Sequence, residues 1–167
     1  VGSAASGGFA LSPDRRRYYA VGGDYVYTQG AGRPVRPLAR QRYGVMGGAW
    51  RDNNTVVVAT SDGLVRCLDV RTDISMTRLT GFMSWCFCVE FSPDGSQLTV
   101  GSGDGTIRAY SVPGFRPLWT VHVVDSAHRT RGLAYTSDSK TLIAGSMDGA
   151  VRFINTETGE VEAMVRA

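Results

Sequence analysis

The chain has 167 residues, 43% of them hydrophobic, and a formal net charge of +3. This length and apolar share are sufficient for a globular core, and they exclude an intrinsically disordered chain and a small disulfide scaffold. No apolar run is long enough to cross a bilayer, so no membrane partner is expected. Three cysteines in apolar surroundings predict buried free thiols in a reducing, intracellular compartment.

One unit of sequence recurs four times along the chain. Its clearest copy is FSPDGSQLTVGSGDGTIRAY at residues 91–110, in which two tight turns separate runs of alternating apolar residues. This pattern is typical of antiparallel strands joined by hairpins. The aspartate of the second turn recurs at intervals of 38, 42 and 44 residues, as Asp24, Asp62, Asp104 and Asp148. Such a period indicates a repeat architecture.

Each copy is predicted to form a blade of four antiparallel strands, and the blades cover about residues 6–42, 43–80, 81–122 and 123–167. The predicted strands of the first two blades are Phe9–Leu11, Tyr18–Gly22, Tyr25–Thr28 and Val35–Ala39, then Ala49–Trp50, Val56–Thr60, Leu64–Asp69 and Thr77–Thr80. Those of the last two are Cys86–Phe91, Leu98–Ser102, Thr106–Ser111 and Pro117–His122, then Gly132–Tyr135, Leu142–Ser146, Ala150–Asn155 and Val161–Val165. So small a unit cannot bury both faces of its sheet, so neighbouring units must stack on it, which favours an all-β propeller.

The segments at residues 91–110 and 135–161 resemble the WD-repeat β-propeller family, and the resemblance covers the chain from about Phe9 onward. It implies that the four blades belong to a larger propeller of seven or eight blades. The repeats are degenerate, because the family's Trp-Asp pair is replaced by Leu68-Asp69, Tyr110-Ser111 and Ile154-Asn155. Its Gly-His pair falls on Arg40-Gln41, Gly81-Phe82 and Asp125-Ser126.

In the family, aspartate, histidine, a strand hydroxyl and tryptophan form a buried hydrogen-bond network. Here only the turn aspartates and the hydroxyls of Thr60, Ser102 and Ser146 remain, so the network is expected to be absent. The aspartates keep a structural role, because a carboxylate at a tight turn accepts backbone amides. The recurrent Arg66, Arg108 and Arg152 are interpreted as a feature of the repeat rather than a ligand clamp.

Two surface clusters are candidate partner sites. The turns after the second strands and the connections between blades should share one end of the propeller, and interface anchors are enriched in Trp, Tyr, Met and Arg. The residues predicted to bind partners there are Tyr25, Phe82, Met83, Trp85, His128, Arg129, Arg131 and Met147. The alternative is that Phe82 and Trp85 fill the space left by the missing histidine and tryptophan.

The second cluster is the basic patch Arg15, Arg16 and Arg17, in the first turn of the first blade. Residues 1–45 hold seven arginines against two aspartates, so this part carries +5 and the remainder −2. The patch is predicted to dock an acidic protein or RNA, and a solvated turn is the alternative.

The predicted function is a non-catalytic protein–protein interaction scaffold, a subunit of a larger assembly. Its expected partners are other proteins, the rest of its own propeller or a second chain. An RNA- or ribonucleoprotein-associated propeller with a basic first blade is the alternative, and a propeller enzyme with a central-channel site, for which Glu90 is the main carboxylate, is a further one. No cofactor, metal or small-molecule substrate is expected, because Cys86-Phe87-Cys88 and two histidines lack the spacing of a metal site.

Overall fold

The computed structural model describes residues 8–22, 25–30, 34–40, 44–72, 75–123 and 129–166. In these residues sixteen strands form four antiparallel sheets, each made of four strands that are consecutive in the chain. Sheets 1 and 2 consist of β1 (Phe9–Leu11), β2 (Arg17–Gly22), β3 (Tyr25–Gly30) and β4 (Arg36–Arg40), then β5 (Val45–Asp52), β6 (Thr55–Thr60), β7 (Val65–Asp69) and β8 (Ser75–Leu79). Sheets 3 and 4 consist of β9 (Cys86–Phe91), β10 (Gln97–Ser102), β11 (Thr106–Ser111) and β12 (Pro117–His122), then β13 (Thr130–Tyr135), β14 (Thr141–Ser146), β15 (Ala150–Asn155) and β16 (Val161–Arg166).

The strand order confirms the predicted all-β, four-sheet architecture, and most strand ends agree with the sequence prediction to within two residues. The exception is β5, which begins at Val45 and not at Ala49. The added residues include Gly47 and Gly48, and glycine is depleted in strands, so alternation alone did not reveal them. A Cβ at Gly47 would lie 2.9 Å from the Phe87 carbonyl oxygen. The glycine is therefore needed where the neighbouring sheet comes close.

The four sheets stand side by side as blades. The first strand of each sheet adjoins the first strand of the next, from β1 through β5 and β9 to β13. Apolar clusters fill each of the three spaces between neighbouring sheets, with Tyr19 and Val26 in the first, Val57 and Leu98 in the second, and Leu142 in the third. The core therefore lies between the sheets, as a propeller requires.

Indole hydrogen bonds also join neighbouring sheets. Trp50 Nε1 donates to the Ala10 carbonyl oxygen at 3.0 Å, across sheets 2 and 1. Trp119 Nε1 donates to the Thr156 carbonyl oxygen at 2.7 Å, across sheets 3 and 4. These bonds fix the sheets relative to one another, so loops on different sheets are held in one geometry.

The antiparallel order places the loops at two ends. The upper end carries the turns between the second and third strands of each sheet, with the described parts of the connections between sheets. The lower end carries the turns between the first and second strands, with those between the third and fourth. No helix in the described residues is long and apolar enough to cross a membrane.

The three thiols are buried and unbridged, as the sequence predicted. Burial raises the pKa of Cys67 to about 11 and that of Cys88 to about 12. The thiols therefore stay protonated at neutral pH and contribute as small apolar groups.

Candidate protein-interaction surface

The upper-end turns are built on an aspartate and an arginine four residues later. In sheet 2, Asp62 Oδ1 accepts the backbone N–H of Leu64 at 3.2 Å and the hydroxyl of Thr60 at 2.5 Å. Arg66 donates from Nη2 to Asp62 Oδ2 at 2.5 Å and from Nη1 to the Thr60 hydroxyl at 2.5 Å. One carboxylate thus closes the turn and holds the arginine of the next strand.

The same pair recurs in the next two sheets. Arg108 Nη2 lies 3.2 Å from Asp104 Oδ2, and Arg152 Nη2 lies 2.5 Å from Asp148 Oδ2. The recurrent arginines are thus partners of the turn aspartates, as expected of a feature of the repeat. Asp24, the predicted turn aspartate of sheet 1, lies outside the described residues.

The turn of sheet 2 lacks the family's histidine and tryptophan, and Asp62, Thr60 and Arg66 form a smaller hydrogen-bond network there. The aspartate and the Thr60 hydroxyl are hydrogen-bonded to each other, and Arg66 donates to both. Burial by itself raises the pKa of Asp62, but the hydrogen bonds from Arg66 and Thr60 outweigh it and hold the pKa at about 2. The carboxylate is therefore charged throughout the neutral range.

Phe82 belongs to the packing of sheet 3. Its ring is half-buried, and its centroid lies 6.3 Å from that of Tyr110, at the position of the family's tryptophan. The guanidinium of Arg108 lies 4.7 Å above the Phe82 ring and donates to the Gly81 carbonyl oxygen at 2.7 Å. The alternative interpretation, that Phe82 fills the vacated space, accounts for this geometry.

Trp85, in contrast, lies at the surface with 47% of its side chain exposed. Its ring centroid is 5.9 Å from that of Phe87, which is buried beneath it. The Arg129 guanidinium lies 5.6 Å from the Trp85 ring centroid and 5.1 Å from that of Phe87. Arg131 lies 4.9 Å from the Phe87 centroid on the same side of the molecule. Two cations from sheet 4 are therefore held over aromatic rings of sheet 3.

Two exposed methionines lie at the same end of the sheets as these cations. Met83 is 88% exposed, and its backbone N–H donates to Asp104 Oδ2 at 3.0 Å. Met147 is 56% exposed, and its backbone N–H donates to the Arg129 carbonyl oxygen at 3.0 Å. We call this area the Trp85 surface, formed by Met83, Trp85, Arg129, Arg131 and Met147.

Tyr25, another predicted partner-binding residue, is not part of it. Tyr25 lies on sheet 1, with sheet 2 in between, and its ring stacks against Tyr27 at 5.8 Å. His128 lies outside the described residues. Sequence reasoning missed Phe87, whose ring contacts the guanidinium groups of both arginines. Its position inside the predicted strand Cys86–Phe91 indicated an ordinary core residue. The signal available was the pair of aromatics at positions 85 and 87, which share a face of an extended segment.

At the lower end, the three arginines of the predicted basic patch differ in their exposure and contacts. Arg15 and Arg16 are exposed, and Arg15 has a positive φ of 57°. Arg17 is half-buried, and its Nη1 donates to the Asn53 carbonyl oxygen at 3.0 Å and to Asn54 Oδ1 at 3.2 Å. Arg17 therefore joins sheet 1 to sheet 2, while the docking of an acidic protein or RNA by this patch stays a prediction.

Two observations concern the alternatives of an enzyme and a metal site. Within the described ranges, no group of three or more His, Cys, Asp or Glu side chains is placed to hold a metal ion. Glu90, the carboxylate singled out for a central-channel site, is buried, and its Oε2 has no hydrogen-bond partner among the described residues.

The blade arc and its repeated turns are those of a class of protein, the WD-repeat β-propeller, and the chain contains repeats of this kind. The family described as "WD domain, G-beta repeat" matches residues 75–111 and 118–155. Each match begins at or near the outer strand of one sheet, β8 or β12, and ends with the third strand of the next. Each sequence repeat thus contains the outer strand of one blade and the first three strands of the next.

Two proteins of other organisms are similar in sequence to part of this chain. Apoptotic protease-activating factor 1 of Danio rerio is 30% identical over 110 residues, which are 66% of this chain and 8% of that protein. Cilia- and flagella-associated protein 52 of Mus musculus is 30% identical over 95 residues, which are 54% of this chain and 15% of that protein. The chain spans less than a fifth of these curated relatives.

A solved structure shares the fold. A chain in the crystal structure of the mitotic checkpoint complex superposes with a TM-score of 0.79 at 22% sequence identity. The superposition covers 89% of this chain and 47% of that one. The four sheets therefore correspond to about half of a WD-repeat propeller chain.

Proposed function

We propose that this chain is a non-catalytic protein-interaction scaffold that acts inside the cell, and that the Trp85 surface holds a partner segment combining acidic and apolar side chains. The observation that carries the proposal is the state of Arg129 and Arg131. Both are exposed, and among the described residues neither guanidinium pairs with a carboxylate. Surface cations that have no carboxylate partner among the described residues favour a ligand that brings its own negative charge.

The apolar part of the proposed ligand follows from the residues around the cations. Trp85, Met83 and Met147 expose large apolar side chains next to the arginines, and such residues are enriched among interface anchors. Met side chains adapt their shape to different partners, whereas the Trp85 ring is held against Phe87. A carboxylate flanked by a Leu or Phe would satisfy both parts of the surface.

The rigid position of the surface also supports a scaffold. Its residues come from sheets 3 and 4, which are joined by their shared core and by the Trp119 indole bond. The partner would therefore find its anchors already placed, which lowers the entropic cost of binding.

Fluorescence anisotropy with a labelled twelve-residue peptide, rich in Glu and carrying one Phe, tests the proposal. Arg129→Glu and Arg131→Glu should each weaken binding by about tenfold or more, because each replaces an attraction with a repulsion. Trp85→Ala should weaken it without a strong dependence on salt.

Arg116→Glu is the matched control, because Arg116 is exposed at the lower end. Equal losses from Arg116→Glu and Arg129→Glu would show that only net charge matters, and the Trp85 surface would not be the site. The same peptide with Lys in place of Glu should bind poorly.

A further inference from the structure

The rear face of sheet 4 is an uncovered apolar surface. We use front face for the side of a sheet that packs on the preceding sheet, and rear face for the other side. By strand register, the residues on the rear face of sheet 4 are Ala134, Ile143, Gly145, Val151, Phe153 and Val165. None of them is buried, and Val165 is 60% exposed. An apolar sheet face of this kind marks an interaction site.

Sheet 3 shows what covers such a face. Ile107 and Ala109 on its rear face occupy the positions that Val151 and Phe153 occupy on sheet 4, and both are fully buried. They are covered by the front face of the next sheet, where Leu142 and Ala144 belong to the same apolar cluster as Ile107. The natural cover of a rear face is therefore the front face of another blade.

The glycines give the same result. A Cβ at Gly101 on the rear face of sheet 3 would meet the Thr130 side chain of sheet 4 at 3.1 Å. A Cβ at the equivalent Gly145 would meet nothing within 4 Å. Space for a neighbouring blade is thus present at sheet 4 and is empty within the described residues.

Sheet 1 has the complementary surface. Its rear face is buried on sheet 2 through Tyr19 and Val26. Its front face, formed by Phe9, Leu11, Tyr18, Ala20 and Tyr27, contains no buried residue, and Phe9 is 73% exposed.

These front-face residues match the cover that sheet 4 lays on sheet 3. Ala20 has the place of Ala144, Tyr18 that of Leu142 and Leu11 that of Tyr135. Sheet 1 is therefore built to cover a rear face like that of sheet 4.

We propose that two copies of this chain close one propeller of eight blades, with sheet 1 of each copy covering the rear face of sheet 4 of the other. The size of the arc agrees with this arrangement, because four sheets correspond to 47% of a solved WD-repeat propeller chain. A two-fold axis along the centre of the ring makes both contacts identical, so the assembly ends at two copies. Eight blades lie within the range of closed propellers.

The mass of the 167-residue protein in solution, measured by light scattering and native mass spectrometry, tests the closure. We expect a discrete dimer of twice the 18.0 kDa chain mass. A folded monomer at micromolar concentration, or a ladder of larger oligomers, would overturn the proposal. A monomer would leave both faces to blades of another polypeptide segment.

Two charged variants test which faces meet. Val151→Glu on sheet 4 and Ala20→Lys on sheet 1 should each weaken the dimer by more than about tenfold, because each would bury an unpaired charge. Both positions are at least partly exposed within one copy, so the fold should be kept, as a β-type circular dichroism spectrum would show.

Mixing the two variants should restore a heterodimer. One of its contacts is unaltered, and the other sets Glu against Lys. If sheet 4 instead docked on sheet 4, Ala20→Lys would stay dimeric and mixing would restore nothing, which would overturn the proposed arrangement. Met83→Glu places a similar charge on the Trp85 surface. It should leave the dimer intact and weaken binding of the acidic peptide, so the two proposals can fail separately.

Discussion

At the scale of single residues, Glu90 destabilises the folded protein by an amount that depends on pH. It lies in β9 with 4% of its surface exposed, and burial raises its pKa to about 8. Its Oε2 has no hydrogen-bond partner among the described residues. The carboxyl group therefore keeps its proton at neutral pH, whereas in the unfolded chain it loses that proton near pH 4.5.

Glu90→Gln should stabilise the protein progressively as the pH rises. Below about pH 4.5 the carboxyl is protonated in both states, so its contribution to stability is fully present there. Between that pH and about 8 the unfolded chain releases the proton and the folded chain retains it, so the wild type loses stability that the neutral glutamine keeps.

Thermal unfolding at pH 5 and pH 8 measures the effect. The gain in Tm from Glu90→Gln should be roughly 6–14 °C larger at pH 8, because retaining the proton over this interval costs the wild type about 3–4 kcal/mol. Glu157→Gln in an exposed turn is the control. A gain that is the same at both pH values would contradict the role given to Glu90.

At the scale of one element, the hairpin of β6 and β7 depends on the pair of Asp62 and Arg66. Both side chains are only 11–12% exposed, so each charge relies on the other. Arg71 and Asp69, at the lower end of the same sheet, also form an ion pair, at 2.7 Å, but Arg71 is 61% exposed. The two pairs offer a buried and an exposed case of the same chemistry.

Arg66→Met should reduce the free energy of unfolding at pH 7 by about 1–3 kcal/mol, because it leaves a half-buried carboxylate without its cation. Arg71→Met should cost less than Arg66→Met, since exposed ion pairs contribute little. Urea unfolding of both variants measures the difference.

The pH dependence gives a second measurement of the same variant. The folded pKa of Asp62 is lowered, so its contribution is present above about pH 4 and is lost as the pH falls towards 2. The difference between wild type and Arg66→Met should shrink over that interval. A difference that stays constant down to pH 2 would show that lost packing, not the ion pair, causes the destabilisation.

At the scale of the whole molecule, the hydrogen bonds between sheets decide whether one sheet can open separately from its neighbours. Trp50 is 9% exposed and donates its indole hydrogen bond to Ala10 of the neighbouring sheet. Trp50→Phe removes that donor and with it one hydrogen bond between the two sheets, at a cost of about 1 kcal/mol.

Hydrogen exchange read by mass spectrometry should show faster exchange in sheet 1 of Trp50→Phe than in the other sheets, because sheet 1 loses one of its hydrogen bonds to sheet 2. Trp85→Phe is a matched control, since Trp85 is 47% exposed. Uniform loss of protection across all four sheets would instead mean that the arc unfolds as one unit and that this bond is not a local connection.

The sequence by itself determined the repeat, the strands and the fold class, because alternating apolar residues and Asp-Gly turns act through local geometry. It also contained the Asp–Arg pair, as an aspartate and an arginine four positions apart in three repeats, although the sequence reasoning did not join them. It did not reveal the start of β5, where Gly47 is required by a backbone from the neighbouring sheet.

Only the tertiary structure decided which candidate residues share a surface. It separated Phe82, packed on Tyr110, from the exposed Trp85, and it brought Arg129 and Arg131 of one sheet over Phe87 of another. Contacts between residues about 40 positions apart depend on how the blades stack. The stacking is set by packing between sheets, which no local pattern in the chain encodes.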